Sequence, residues 1–140
     1  VSDRKGGMGG LDIWYSVLDK SGNPGPAANC GKGVNSAQDE ITPHYDHDAG
    51  VLYFSSNFWP GYGGYDVFKS KGWGSKWSKP ENIKMPINSG YDDTYFTMLP
   101  ENKLQGFVVS NRPGGTSLLS ETCCDDIWST EMKIPTLLYV

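Results

Sequence analysis

Only three cysteines, two histidines and twelve basic residues occur in the 140-residue chain, against sixteen acids. The net charge is −4 and no run of Lys or Arg occurs, which argues against the basic face that nucleic-acid phosphates require. No apolar stretch approaches the ~20 residues of a membrane-spanning helix. Ile134 to Val140 is too short for one and reads as a strand. With two histidines and no Gly-x-Ser-x-Gly elbow, a Ser-His-Asp triad has little to build on. Strong helix signals are also scarce, because 18 Gly and 9 Pro are set among 13% aromatics. That composition suits short strands and tight turns.

What is present is a repeat. Val51 to Ser70 runs from an apolar segment, Val51-Leu52-Tyr53-Phe54, through Ser55-Ser56-Asn57 and a loop containing Pro60, Gly61, Gly63 and Gly64. It leaves through Asp66-Val67-Phe68. Two strand-forming runs around a Gly/Pro cluster read as a hairpin. Ser2-Asp3-Arg4 leads likewise to Asp12-Ile13-Trp14, and Ser110-Asn111-Arg112 to Asp126-Ile127-Trp128. Ser2, Ser56 and Ser110 are each 54 residues apart, and the third loop is six residues longer. A fixed period of this kind marks repeat architecture.

Strands are predicted over Leu11 to Leu18, Ile41 to Tyr45, Val51 to Ser55, Tyr65 to Lys69, Thr94 to Met98 and Gly106 to Val109. An outer strand is predicted over Trp77 to Ile83, where Pro80 suits an edge. Four short strands per period are the signature of a β-propeller blade. The expected fold is all-β, a partial propeller of about two and a half blades: residues 1–32, 33–85 and 86–132, with 133–140 as an exit strand or linker. A sandwich of tandem hairpins would not explain the spacing. The chain starts inside a repeat, so a longer parent is expected.

The glycine-rich loops admit three readings. Phosphate cradling needs a following helix, and here a strand follows. Calcium binding needs a different Gly/Asp register. The reading favoured is structural: Asp12, Asp66 and Asp126 accept backbone N–H bonds that close the loops. Asp39-Glu40 and Asp92-Asp93 are adjacent pairs whose side chains point to opposite faces of a strand, so they do not make an acid/base pair. His44 and His47 have no obvious third ligand, and no metal or cofactor is expected. Cys30 is placed to bridge Cys123 or Cys124, or the latter two to bridge each other, with free buried thiols as the alternative. Phe58, Trp59 and Tyr62 sit at a loop tip, where large aromatics suit a contact surface.

Leu52-Tyr53-Phe54-Ser55-Ser56-Asn57, the glycine loop and Tyr65-Asp66-Val67-Phe68 together resemble the PD40 repeats, WD40-like units related to the TolB propeller. The Asn35…Asp39-Glu40…Pro43 element and Cys123-Cys124-Asp125-Asp126 resemble one subgroup of these. Its members are outer-membrane-associated proteins that carry an OmpA-like domain, some of them linked to type IX secretion in Bacteroidetes-type bacteria. Phe58 departs from the pattern, which has Arg in the loop. No OmpA-like segment is present, so peptidoglycan contact would lie outside these residues. The resemblance implies a non-catalytic scaffold in the periplasm or at the outer membrane with a protein or peptide partner. Asn57, Phe58, Trp59, Tyr62, Arg112, Asp39, Glu40, Asp92 and Asp93 are the candidate binding face. The alternative is a hydrolase or lyase whose site is completed by blades outside this chain.

Overall fold

The computed structural model describes residues 1–116, 118–120 and 123–131; the reading of 133–140 lies outside them. The chain is all-β, with three antiparallel sheets and no helix among the described residues.

The middle sheet sets the pattern. β3 (Glu40–Asp46), β4 (Val51–Ser56) and β5 (Asp66–Trp73) form an antiparallel meander. Two short strands, β6 (Lys76–Trp77) and β7 (Glu81–Asn82), both pair with β5. The expected outer strand over Trp77 to Ile83 is thus broken in two. Pro80 cannot donate to a ladder, and Ser78 takes over locally: its Oγ accepts the Lys71 N–H at 3.0 Å.

On one side of this sheet, β1 (Trp14–Tyr15) pairs with β2 (Ala28–Asn29). The strand expected over Leu11 to Leu18 is this two-residue piece plus isolated bridges, Ser2 to Asp12 and Leu18 to Pro24. On the other side lies a sheet of β8 (Asp93–Leu99), β9 (Asn102–Ser110) and β10 (Asp126–Glu131). The repeat is visible in the pairing itself, since Ser2 faces Asp12, Ser56 faces Asp66 and Ser110 faces Asp126.

Strand periodicity decides where the cores form, because successive side chains point to opposite faces. Leu52, Phe54 and Phe68 pack with Ile13, Cys30 and Val34. On the other face Val67, assisted by Tyr53, meets Ile87, Phe96 and Val108. The middle sheet is therefore buried on both sides, and each buried Phe or Val contributes about 1.5–3 kcal/mol of transfer free energy.

Asparagine ties the sheets together at their backbones. Asn35 accepts the Ile13 N–H at 2.8 Å and donates to the Ile13 carbonyl at 2.9 Å. Asn88 does the same with Val67, at 2.8 Å for both bonds. The remaining amide hydrogens reach Asn29 and Asn82. Both clamps are fully buried. Asn88→Ala would leave the Val67 N–H without a partner in the core, while the Val67 carbonyl keeps the Ile83 N–H, and is expected to cost about 1–3 kcal/mol. The loss reads as a lowered urea midpoint; an unchanged midpoint would refute the clamp.

Candidate functional site

The loop end of the sheets, where the sequence places its candidate residues, is built in three layers. Asp66 Oδ2 accepts the N–H groups of Tyr62 and Gly63 at 2.8 and 3.1 Å. Asp12 and Asp126 accept those of Met8 and Thr116 at 2.6 and 2.7 Å. These three carboxylates close their loops as expected. The glycines are needed for close approach: a Cβ on Gly61 would collide with the Asp66 carboxylate, and one on Gly63 with the Tyr91 backbone.

The second layer latches each loop to the next sheet. Asp39 Oδ1 accepts the Leu11 N–H at 2.7 Å, and Asp92 Oδ1 accepts the Tyr65 N–H at 2.8 Å. Asn57 and Asn111 in turn accept the N–H groups of Asp39 and Asp92 at 3.0 and 2.9 Å.

The third layer is a buried acid in each of two sheets. Glu40 accepts bonds from the Ser36 N–H and hydroxyl and from the Ser56 hydroxyl, at 2.7, 2.5 and 2.8 Å. Asp93 accepts from Ser89 and from the Arg112 guanidinium. Arg112 also donates to the Ile87 carbonyl at 2.6 Å and lies 5.7 Å from the Trp128 ring centroid. Arg4 repeats that stacking on Trp14 at 5.2 Å. In the middle unit the equivalent residues are Phe58 and Phe68, so Glu40 has no cation. Burial pushes the Glu40 carboxyl above its ordinary range, against the pull of the serine hydrogen bonds.

This geometry corrects part of the expected binding face. Glu40 and Asp93 are fully buried and face no partner, and Arg112 is spent on Asp93. Asp39, Asp92 and Asn57 are committed to backbone bonds. Trp59 leans on the first core. Phe58 and Tyr62 are exposed, at 45% and 47%. The cysteine bridges are also not formed. Cys30 is enclosed in the first core, and all three cysteines are free, with the Cys123 and Cys124 sulfurs 2.7 Å apart.

A cleft of about 570 Å³ opens beside this end, lined by Thr42, Tyr65, Asp92, Thr94, Tyr95 and Asp125 among others. Of the expected residues only Asp92 reaches it. Thr42 and Tyr95 both take a left-handed backbone, with φ of 50°. Neither residue type signals this, so the sequence gives no warning of the bulges. His44 and His47 join no metal-binding group among the described residues. No helix among them is long and apolar enough to cross a membrane. No family model, curated protein or solved structure matches the chain.

Two outcomes follow. Phe58→Arg should supply Glu40 with the cation that Asp93 has. A raised folded pKa means that stability falls as pH rises through it. The variant should therefore gain about 1–2 kcal/mol at pH 7 and nothing below about pH 4; a gain equal at both pH values would show that the guanidinium misses Glu40. The second concerns thiols. The Cys124 thiol and nearby N–H groups hold Cys123 down to about 7, whereas burial raises Cys30 to about 11. Iodoacetamide at pH 7.5 should label Cys123 first and Cys30 only after unfolding, as read by peptide mass spectrometry. A Cys123–Cys124 pair that resists alkylation without reductant would contradict the free thiols.

Proposed function

We propose that the chain is part of a PD40-like β-propeller that serves as a non-catalytic scaffold in a bacterial cell envelope and contacts a protein partner through its loop tips. The observation that carries the reading is Phe58. At this repeat position its sister units place Arg4 and Arg112, and Arg112 is spent inside its own sheet. Phe58 instead stands exposed, edge-on to Trp59 with ring centroids 4.9 Å apart, and exposed Tyr62 lies on the same loop. Where the sister units have an arginine with internal work stands an exposed phenylalanine backed by the half-buried Trp59, which suits an interface anchor.

The acids support the same reading. Asp39, Glu40, Asp92 and Asp93 hold backbone and hydroxyl groups in place, a structural use of carboxylates. The three stacked sheets, with equivalent Ser–Asp pairs, fit the repeat expected of a propeller. The PD40 resemblance adds the periplasmic or outer-membrane setting and the link to secretion assemblies.

A photo-crosslinking phenylalanine analogue placed at Phe58 or Tyr62 in cells should capture a discrete protein, and the same analogue at Lys79 should not. Phe58→Ala with Tyr62→Ala should weaken that partner's binding by about tenfold or more. If the full-length protein instead hydrolysed glycan or peptide, and the near-isosteric Asp92→Asn abolished it, the scaffold reading would fail.

A further inference from the structure

The loop between β9 and β10 carries two adjacent thiols that the repeat does not require. Its sister loops close on Asp12 and Asp66 without a cysteine. The third loop is six residues longer, yet Asp126 still closes it on the Thr116 N–H. Cys123 and Cys124 are thus an addition to a turn that closes without them.

The added residues fold around one sulfur. Cys123 Sγ accepts the N–H groups of Leu118 and Leu119 at 3.1 and 3.0 Å, and Cys124 Sγ lies 2.7 Å away. The Cys123 N–H donates to the Ser120 carbonyl at 3.1 Å, which turns the segment back on itself. Successive backbone N–H groups aimed at one atom make a concavity that stabilises an anion. The Cys124 thiol and these N–H groups bring the Cys123 thiol down to about 7, while the Cys123 sulfur beside it pushes Cys124 up. One sulfur carries the charge and its neighbour keeps the proton. Cys123 is half-buried and Cys124 exposed, and Leu118 and Leu119 are 77% and 92% exposed, so the pair is open to a reactant from solvent.

From this geometry we propose that Cys123 and Cys124 form a thiol–disulfide exchange centre that acts on an accessible disulfide. The Cys123 thiolate attacks one substrate sulfur and forms a mixed disulfide, and the other substrate sulfur leaves as a thiolate. Cys124 gives its proton to water and attacks the Cys123 sulfur, expelling the second substrate sulfur. The substrate gains two electrons and ends as two thiols; the cysteine pair loses two and ends as a vicinal disulfide. Adjacent Cα atoms are only ~3.8 Å apart, inside the ~4.4–6.8 Å that bridges usually span. The closed ring is therefore easily reduced, and a dithiol returns it to the free thiols by the same steps reversed. This assignment does not depend on the Phe58 surface.

The test treats the whole chain with dithiobis-nitrobenzoate, an aromatic disulfide, near neutral pH and follows absorbance and intact mass. The native chain should release both halves of the reagent and retain neither, ending two hydrogens lighter. Cys124→Ser should release one half and keep the other as a stable mixed disulfide on Cys123. Cys123→Ser should react about tenfold or more slowly. Cys30, enclosed in the first core, should stay unmodified throughout and so report that each variant is folded. Oxidised glutathione and a disulfide-linked dimer of a Leu-Cys-Leu peptide separate the sources of substrate. Faster exchange with glutathione marks a small-molecule disulfide, and faster exchange with the apolar dimer marks a protein disulfide met by Leu118 and Leu119. Reagent retained by the native chain, equal rates for Cys123→Ser and the native chain, or a product that dithiothreitol does not return to free thiols would each overturn the proposal.

Discussion

Everything in this fold depends on satisfying backbone groups where one small sheet meets the next. An orphaned buried N–H or C=O costs about as much as a lost hydrogen bond. At Ile13 and Val67 the N–H faces the neighbouring connector rather than another strand, and the carbonyl accepts from that connector besides the N–H of Cys30 or Ile83. An asparagine amide offers a donor and an acceptor in one planar fork, so Asn35 and Asn88 each act as a single substitute strand residue. Aspartate could not donate. The second amide hydrogen is also used, on Asn29 or Asn82. Hydrophobic contact brings the sheets together without direction; the amides fix how they meet.

Around that constraint the repeat separates what the architecture needs from what it tolerates. Ser2, Ser56 and Ser110 all accept the N–H two residues on, from Arg4, Phe58 and Arg112. The loop-closing aspartates keep both identity and partner position. The guanidinium contact is dispensable by comparison. Where Phe58 stands, the acid has lengthened from Asp to Glu, and Glu40 reaches the Ser56 hydroxyl that its own strand pair supplies. One buried acid is thus satisfied with the help of a cation and the other by hydroxyls and a backbone N–H, within one chain.

The repeat was legible because it is written in residue types whose roles are local. Asp66 closes a loop four residues long in either direction of reasoning, and its acceptor chemistry is visible in sequence. The middle strands were legible for a similar reason, through the strand-forming runs on either side of the glycine loop. Burial of Glu40 and Asp93 was not legible, since residue type says exposed and only the sheet contact says otherwise. The spacing of Ser36 to Glu40 and Ser89 to Asp93 was the available signal. Cys30 could not be paired from sequence because its neighbours, Val34, Leu52 and Phe54, come from different segments. Trp73 and Trp77 were legible only as departures from the repeat, because Asp19 and Asn23 stand at the equivalent positions.

The bulges in the inner strands complete the logic. Register slips between Ile41 and His44 and again between Thr94 and Thr97. At both places a non-glycine residue, Thr42 or Tyr95, takes a left-handed conformation at a cost of order 1–3 kcal/mol. A strain present twice at equivalent positions needs a compensating role, and the structure offers one. The Tyr95 N–H donates to Thr42 Oγ1 at 3.2 Å across the two sheets, while Thr42 also bonds the Ser55 hydroxyl at 3.1 Å. A bulge increases local twist and bends its strand. Here it leaves the inner strands of neighbouring sheets linked edge to edge, beside the cleft that Thr42 and Tyr95 line. The strained residues therefore join neighbouring sheets at their inner strands, as the asparagines join them further out.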